Sequence, residues 1–274
     1  MRIFKFFLIS CILVTTITKA QTKYISLEDI WDGSFRTERM DALHSMKNGQ
    51  QYSVLNFDRE AGTTAIEVYD YKTLSKVKTL VSSSDNETIP YFTDYTFSKD
   101  ENKILLATEE EAIFRRSTLG IYYVYNVSEK SLYNIADYKI QEPTFSPNGK
   151  YVAYGYNNNL YVKNLETNDL IQLTTDGKKN EIINGITDWV YEEEFGFVRA
   201  FEWNSDSDRI AFIRFDETNV PEFSMDVFGK GLYQTQQVFK YPKAGEKNAV
   251  VSLHLYDLNT NKASAVKLDK AYND

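Results

Sequence analysis

One phrase recurs along this chain: an aromatic residue, a small polar residue, a turn, and then an apolar strand. It reads Phe97-Ser98-Lys99-Asp100 before KILLAT, Phe145-Ser146-Pro147-Asn148 before KYVAYGY, and Trp203-Asn204-Ser205-Asp206 before RIAFIRF. A second set of strands closes on turns: IEVYDYKT, YYVYNVSEK, LYVKNLETN and LHLYDLNTN. The aromatics at 97, 145 and 203 stand 48 and 58 residues apart, which is the size of a four-stranded propeller blade with room for insertions. A β-sandwich also offers short, regular strands, but it does not account for the recurring phrase. The reading is therefore all-β and propeller-like, with four units, the first of them degenerate around Met46 to Leu80.

Two segments interrupt the repeat. Residues 187–199 carry Glu and Phe at a spacing that suits one or two helical turns, and Asp188 stands where a cap belongs. Residues 228–248, FGKGLYQTQQVFKYPKAGEKN, are too many for a tight connection and read as an arm or extended hairpin.

The first twenty residues have Arg2 and Lys5, an apolar stretch from Phe6 to Val14, and a polar end at Ala20. That is the layout of a secretory signal peptide, with cleavage before Gln21 and residues 21–274 as the mature propeller portion. Leu8-Ile9-Ser10-Cys11 offers an alternative, a lipoprotein cleavage box with anchoring at Cys11. Cys11 is the only cysteine, so the mature chain has neither disulfides nor thiol chemistry. The formal charge is −8 and becomes more negative once the cations of the leader are removed. An acidic chain without a basic stretch is a poor partner for nucleic acid.

The run GITDWVYEEEFGF, 185–197, carries the chemistry. Adjacent carboxylates repel, so crowding Glu192, Glu193 and Glu194 among aromatic neighbours calls for a compensating cation. On a helix, successive residues sit about 100° apart, so two carboxylates can straddle one ammonium while the third turns away. An ammonium has three donors to offer such a pair. Glu109-Glu110-Glu111 is a second triplet without aromatic flanks, and it reads as an exposed run.

The run NGITDWVYEEEFGF resembles the glutamate motif of the dipeptidyl peptidase IV family of serine peptidases. The resemblance extends from about Phe97 through Lys267. It includes NNNLYVK (157–163), FDETNVPEFSMDVF (215–228) and YPKAG (241–245), and the opening ISLEDIWDGSF (25–35) is similar to bacterial members. It implies that the chain makes about four blades of an eight-bladed propeller, with the glutamates on a short helical insertion. It also implies that Glu193 and Glu194 bind the substrate's N-terminal amine, with Glu192 turned aside and least sensitive to loss. Arg115, in Phe114-Arg115-Arg116-Ser117 before IYYVYN, matches the family's carbonyl-binding arginine. The arm, 228–248, resembles the segment through which family members form homodimers.

Nothing in the chain matches the family's catalytic apparatus. That apparatus needs a Ser-Asp-His triad with the serine on a G-x-S-x-G elbow, and no G-x-S-x-G occurs. The two histidines, His44 and His254, fall within the repeat and read as structural or exposed. No spacing points to a metal, a phosphate loop or any other cofactor. No catalytic residue is assigned, and the chain alone should be inactive. The resemblance implies the N-terminal recognition portion of an exported, periplasmic or extracellular peptidase that releases X-Pro or X-Ala dipeptides from peptides with a free N-terminus. The alternative is a non-catalytic secreted propeller that binds peptides or proteins without cutting them.

Overall fold

A computed structural model of the chain describes residues 24–37, 39–269 and 272. The leader expected at 1–20, with Cys11, lies outside the described residues. The chain divides into two compact units, Met1–Asp41 and Ala42–Asp274. In the first, helix α1 (Leu27–Trp31) opens on a capping box. Ser26 Oγ accepts from Asp29 N, and the Asp29 carboxylate accepts from Ser26 N, both at 3.1 Å.

In the second unit, four antiparallel sheets follow one another in sequence order. The first holds β1 (Leu43–Ser45), β2 (Gln51–Asp58), β3 (Thr63–Asp70) and β4 (Lys76–Ser82). The second holds β5 (Asp94–Phe97), β6 (Lys103–Ala112), β7 (Thr118–Asn126) and β8 (Ser131–Asn134). The third holds β9 (Gln141–Phe145), β10 (Tyr151–Tyr156), β11 (Asn159–Asn164) and β12 (Leu170–Gln172). The fourth is built from β13 (Ile182–Asn184), β14 (Phe201–Trp203), β15 (Arg209–Asp216), β18 (Val250–Asp257) and β19 (Lys262–Ala265). Between β15 and β18, β16 (Glu222–Val227) and β17 (Thr235–Lys240) pair only with each other. These are blades of a partial propeller, not closed into a barrel, with a short helical insertion.

The second and third sheets bury apolar side chains against a neighbour on each face, which explains why their central strands read as continuous apolar runs rather than alternating ones. On β6, Ile104 and Leu106 enter the cluster shared with the first sheet, through Ile66 and Val81. Leu105, on the opposite face, joins Val152 and Tyr154 of the third sheet. Ala153, one residue along β10, faces Ile210 and Phe212 of the fourth. The period of two thus distributes one strand between two cores.

The recurring phrase has a physical role. Phe97, Phe145 and Trp203 each pack against the cluster between their own sheet and the preceding one. Behind the aromatic, Ser98 Oγ accepts from Lys103 N at 3.0 Å and donates to Asp100 Oδ1. Ser146 Oγ does the same with Tyr151 N and Asn148 Oδ1. In the fourth sheet, Asn204 stands in the serine's place and accepts from Asp208 N and Arg209 N. The first sheet keeps only the turn, with Asn48 Oδ1 accepting from Gln50 N and Gln51 N. The degenerate unit is nonetheless a complete four-stranded sheet.

The arm starts earlier than its sequence suggests. The hairpin takes in Glu222 to Lys240, and 228–234 form its tip rather than its base.

Candidate functional site

The fourth sheet lacks a continuous first strand. Two three-residue strands take its place along β15: β13 pairs with Arg214–Asp216, and β14 pairs with Ile210–Phe212. The intervening residues loop out, and within them lies helix α2 (Trp189–Phe195). Backbone bonds from Thr187 N to Val198 O (3.0 Å) and from Ala200 N to Gly185 O (2.8 Å) zip the two ends of the excursion together. Gly185 has φ +71°, and a Cβ there would lie 2.6 Å from the methyl carbons of Leu160. The backbone therefore passes this point in a conformation and at a distance that only glycine allows.

Asp188 caps the helix as expected, its Oδ1 accepting from Tyr191 N at 2.9 Å. Gly196 ends it in the left-handed conformation, φ +73°. The aromatic residues of the motif fasten the helix to the body. Tyr191 packs against Phe215 and Phe197, and Trp189 against Tyr241 beyond the hairpin, at 4.3 Å between ring centroids. Phe195 remains exposed.

The three glutamates have three different environments. Glu192 is buried, at 1% exposure, and its Oε1 accepts from the backbone N–H groups of Arg116 (2.6 Å) and Ser117 (3.0 Å). Glu193 is partly exposed and paired with Arg115, whose Nε lies 3.1 Å from Oε1 and 2.9 Å from Oε2. Glu194 is exposed, with no ion pair among the described residues. Arg115 and Glu193 are thus brought together from segments 78 residues apart, with Glu194 next along the helix. Because the Arg115 side chain is largely exposed, its ion pair adds little to stability. The arrangement suits a polar ligand better than it suits the fold. A cleft of about 660 Å3 adjoins it, lined by Phe114, Arg115, Trp189, Glu193, Phe223 and Phe239.

Glu192 is turned aside, but it is not idle, because it fastens the loop that carries Arg115 to the helix. Sequence reasoning missed this, since a contact across 75 residues leaves no local periodicity. It also missed a buried acid pair behind the helix. Burial pushes the Asp188 carboxyl upward, against the backbone N–H bonds that lower it. Burial pushes Glu217 up to about 7, the Asp188 charge adding to the shift and Lys240 opposing it.

The other triplet behaves as expected of an exposed run. Glu109 takes φ +52° at a bulge in β6, Glu110 hydrogen-bonds Thr93 and Thr118, and Glu111 pairs with Lys139. Both histidines pack on aromatic rings, His44 on Tyr95 and His254 on Phe212. Among the described residues no group of three or more acids, histidines or cysteines is placed to hold a metal.

The family defined as the dipeptidyl peptidase IV (DPP IV) N-terminal region matches residues 98–274. A probable dipeptidyl-aminopeptidase B of Chaetomium globosum is 35% identical over 193 residues, covering 65% of this chain and 21% of that protein. The prolyl endopeptidase FAP of Mus musculus is 34% identical over 170 residues, covering 60% of this chain and 22% of that one. The crystal structure of Porphyromonas gingivalis dipeptidyl peptidase 4 superposes with a TM-score of 0.82 at 37% identity, over 90% of this chain and 35% of that chain. A putative dipeptidyl aminopeptidase IV from Bacteroides ovatus shares the fold, with a TM-score of 0.59 at 20% identity over 90% and 33% of the two chains. The chain spans between a fifth and a third of the length of the curated relatives it matches.

Proposed function

This chain belongs to the dipeptidyl peptidase IV family as its N-terminal propeller region, and on that basis we propose that it recognises the N-terminus of peptide substrates for an exported serine peptidase that releases X-Pro or X-Ala dipeptides. Glu193 and Glu194 hold the substrate ammonium, and Arg115 holds a carbonyl of the same residue or the next. The observation that carries the reading is the Arg115–Glu193 contact at 2.9 Å with the Glu194 carboxylate open beside it.

The physical logic is charge balance. Arg115 offsets one of two crowded carboxylates, so the pair with its arginine carries about one net negative charge, which an ammonium neutralises. An amine fixed in this way limits how far the substrate reaches toward a nucleophile elsewhere in the protein, so cleavage falls after the second residue. No elbow serine is present in this sequence, so the nucleophile belongs to a hydrolase domain outside it.

The hairpin serves as the dimer arm. Phe228, Leu232 and Tyr233 at or near its tip are exposed, whereas Phe239 and Tyr241 at its root pack against Phe114 and Trp189. A partner copy therefore meets the tip within 228–248 and not the root. Export through the leader at 1–20 places this recognition in the periplasm or outside the cell.

The test is N-terminal acetylation of a dipeptidyl chromogenic substrate, assayed with the full-length protein carrying this segment. Acetylation removes the ammonium, so kcat/KM should fall by at least about a hundredfold. Equal turnover of free and acetylated substrates would remove the glutamates from the amine site and leave a propeller that binds something else.

A further inference from the structure

A carboxylate buried to 1% exposure is costly unless its lone pairs are satisfied, and at Glu192 two backbone amides supply the compensation. The amides of Arg116 and Ser117 are consecutive, and consecutive N–H groups converge on a single oxygen only where the backbone is curled into a small anion-binding nest. The anion in this nest comes from helix α2. The residue immediately before the nest is Arg115, the side chain that reaches Glu193.

The rest of the loop is closed on itself. Ile113 N donates to Ser117 O at 2.9 Å, and Phe114 N donates to Ser117 Oγ at 3.3 Å. Ser117 is buried, and the Arg116 guanidinium lies beside the Gly196 cap at the other end of the helix. The loop is thus a small rigid turn docked on α2, and the bond from Glu192 fixes where the Arg115 backbone sits. Arg115 itself is long and exposed, so its reach is set by its root.

We propose that Glu192 is a positioning residue for Arg115. Its carboxylate holds the 115–117 backbone against α2, so that the guanidinium meets Glu193 and the bound substrate together. The first glutamate of the triplet therefore acts on the substrate through the arginine, while the second and third act directly. This inference rests on the substrate-recognition reading above.

The test compares Glu192→Gln, Arg115→Ala and the double variant in the full-length protein carrying this segment. Glutamine keeps the size and removes the charge. Hydrogen exchange at the 116 and 117 amides should accelerate about tenfold or more in Glu192→Gln and stay unchanged in Glu194→Gln. For a free dipeptidyl substrate, kcat/KM should fall about ten- to a hundredfold in Glu192→Gln. The preference for free over acetylated substrate should survive, since Glu193 and Glu194 remain. The double variant should be no worse than Arg115→Ala alone. If Glu192→Gln does not fold, Glu192→Asp, with its charge one methylene shorter, should show the same non-additivity with Arg115→Ala.

Unchanged amide exchange, or defects that multiply in the double variant, would overturn the proposal. Loss of the free-amine preference in Glu192→Gln would overturn it as well, because the helix itself would then have moved. Should the wild-type protein cleave free and acetylated substrates equally, the amine site fails, while the exchange result still decides whether Glu192 holds the loop.

Discussion

The ring of Phe114 rests against that of Phe239, with centroids 5.7 Å apart and planes tilted by 51°. Phe114 adjoins the candidate carbonyl-binding arginine, and Phe239 belongs to β17 of the hairpin. Phe223 and Tyr241 complete the cluster, and Tyr241 in turn meets Trp189 on the glutamate helix. Arginine loop, glutamate helix and hairpin root therefore share one aromatic junction. Replacing Phe239 by alanine should cost about 1.5–3 kcal/mol, less than a fully buried ring would. Denaturant melts should register that loss, and amide exchange over 113–117 should accelerate. A destabilised protein with unchanged exchange in the loop would show that the ring contact does not hold it.

The second and third glutamates of the helix should be far more sensitive than those of the other triplet. On the proposed reading, Glu193→Ala and Glu194→Ala should each remove a charge-assisted hydrogen bond to the substrate ammonium, worth about 2–4 kcal/mol, or roughly 30- to 1,000-fold in kcat/KM. Glu111→Ala, whose partner is a lysine at the surface, should stay within about twofold. Steady-state kinetics on the full-length protein separates the two classes.

Stability should fall as pH rises through the range where Glu217 titrates. Its folded value of about 7 exceeds the ordinary 4.5, so the folded chain holds this proton where the unfolded chain has lost it. Between about pH 4.5 and 7 the folded state binds more protons, and its advantage drains away as pH increases; above 7 the full penalty applies. That penalty is at most about 3 kcal/mol. Glu217→Gln should therefore stabilise the protein at pH 8 by about 1–3 kcal/mol and leave it nearly unchanged at pH 4. A gain of equal size at both pH values would assign the effect to packing instead of ionisation.

The turn serines should matter according to where they stand and not according to the letter. Ser98→Ala and Ser146→Ala each delete a buried hydroxyl that accepts from a strand amide, at a cost of about 1–2 kcal/mol. Ser205→Ala should be silent, because that side chain is exposed and Asn204 bonds in its place. Thermal melts of the three variants decide it.

Shortening the hairpin tip across 230–233 should convert a dimer of the full-length protein to monomer while leaving β17, and with it Phe239, in place. Sedimentation reports the first effect, and amide exchange over 113–117 should show no change. A dimer that survives the deletion would take the tip out of the interface.

The fold was legible wherever local chemistry repeats. An aromatic that fills a gap between sheets and a side-chain oxygen that seals the turn behind it recur from the second sheet to the fourth, so Phe97-Ser98 and Phe145-Ser146 announce themselves. In the fourth sheet Asn204 follows the aromatic where the others have serine, and its amide oxygen accepts the same bonds as a hydroxyl. Helix α2 and its Asp188 cap were also readable, since capping is a contact between near neighbours. The hairpin was placed too late, because 222–227 reads as a strand like any other until its partner is known. At the site, the triplet marked itself by its aromatic company, but the division of labour within it did not. Whether a glutamate meets water, an arginine or a pair of amides is decided by a loop 75 residues away, and no spacing within EEE encodes that.

Gly185 makes the approach to the glutamate helix a one-sided constraint. With the backbone already against Leu160, no smaller residue exists with which to close the gap, and every other residue opens it. Drift at this position can only displace the start of the excursion that carries the glutamate helix. A lineage that loses this glycine should therefore trim its neighbour at 160 in compensation. Where both have changed together, the helix should keep its place and the two positions should vary as a pair.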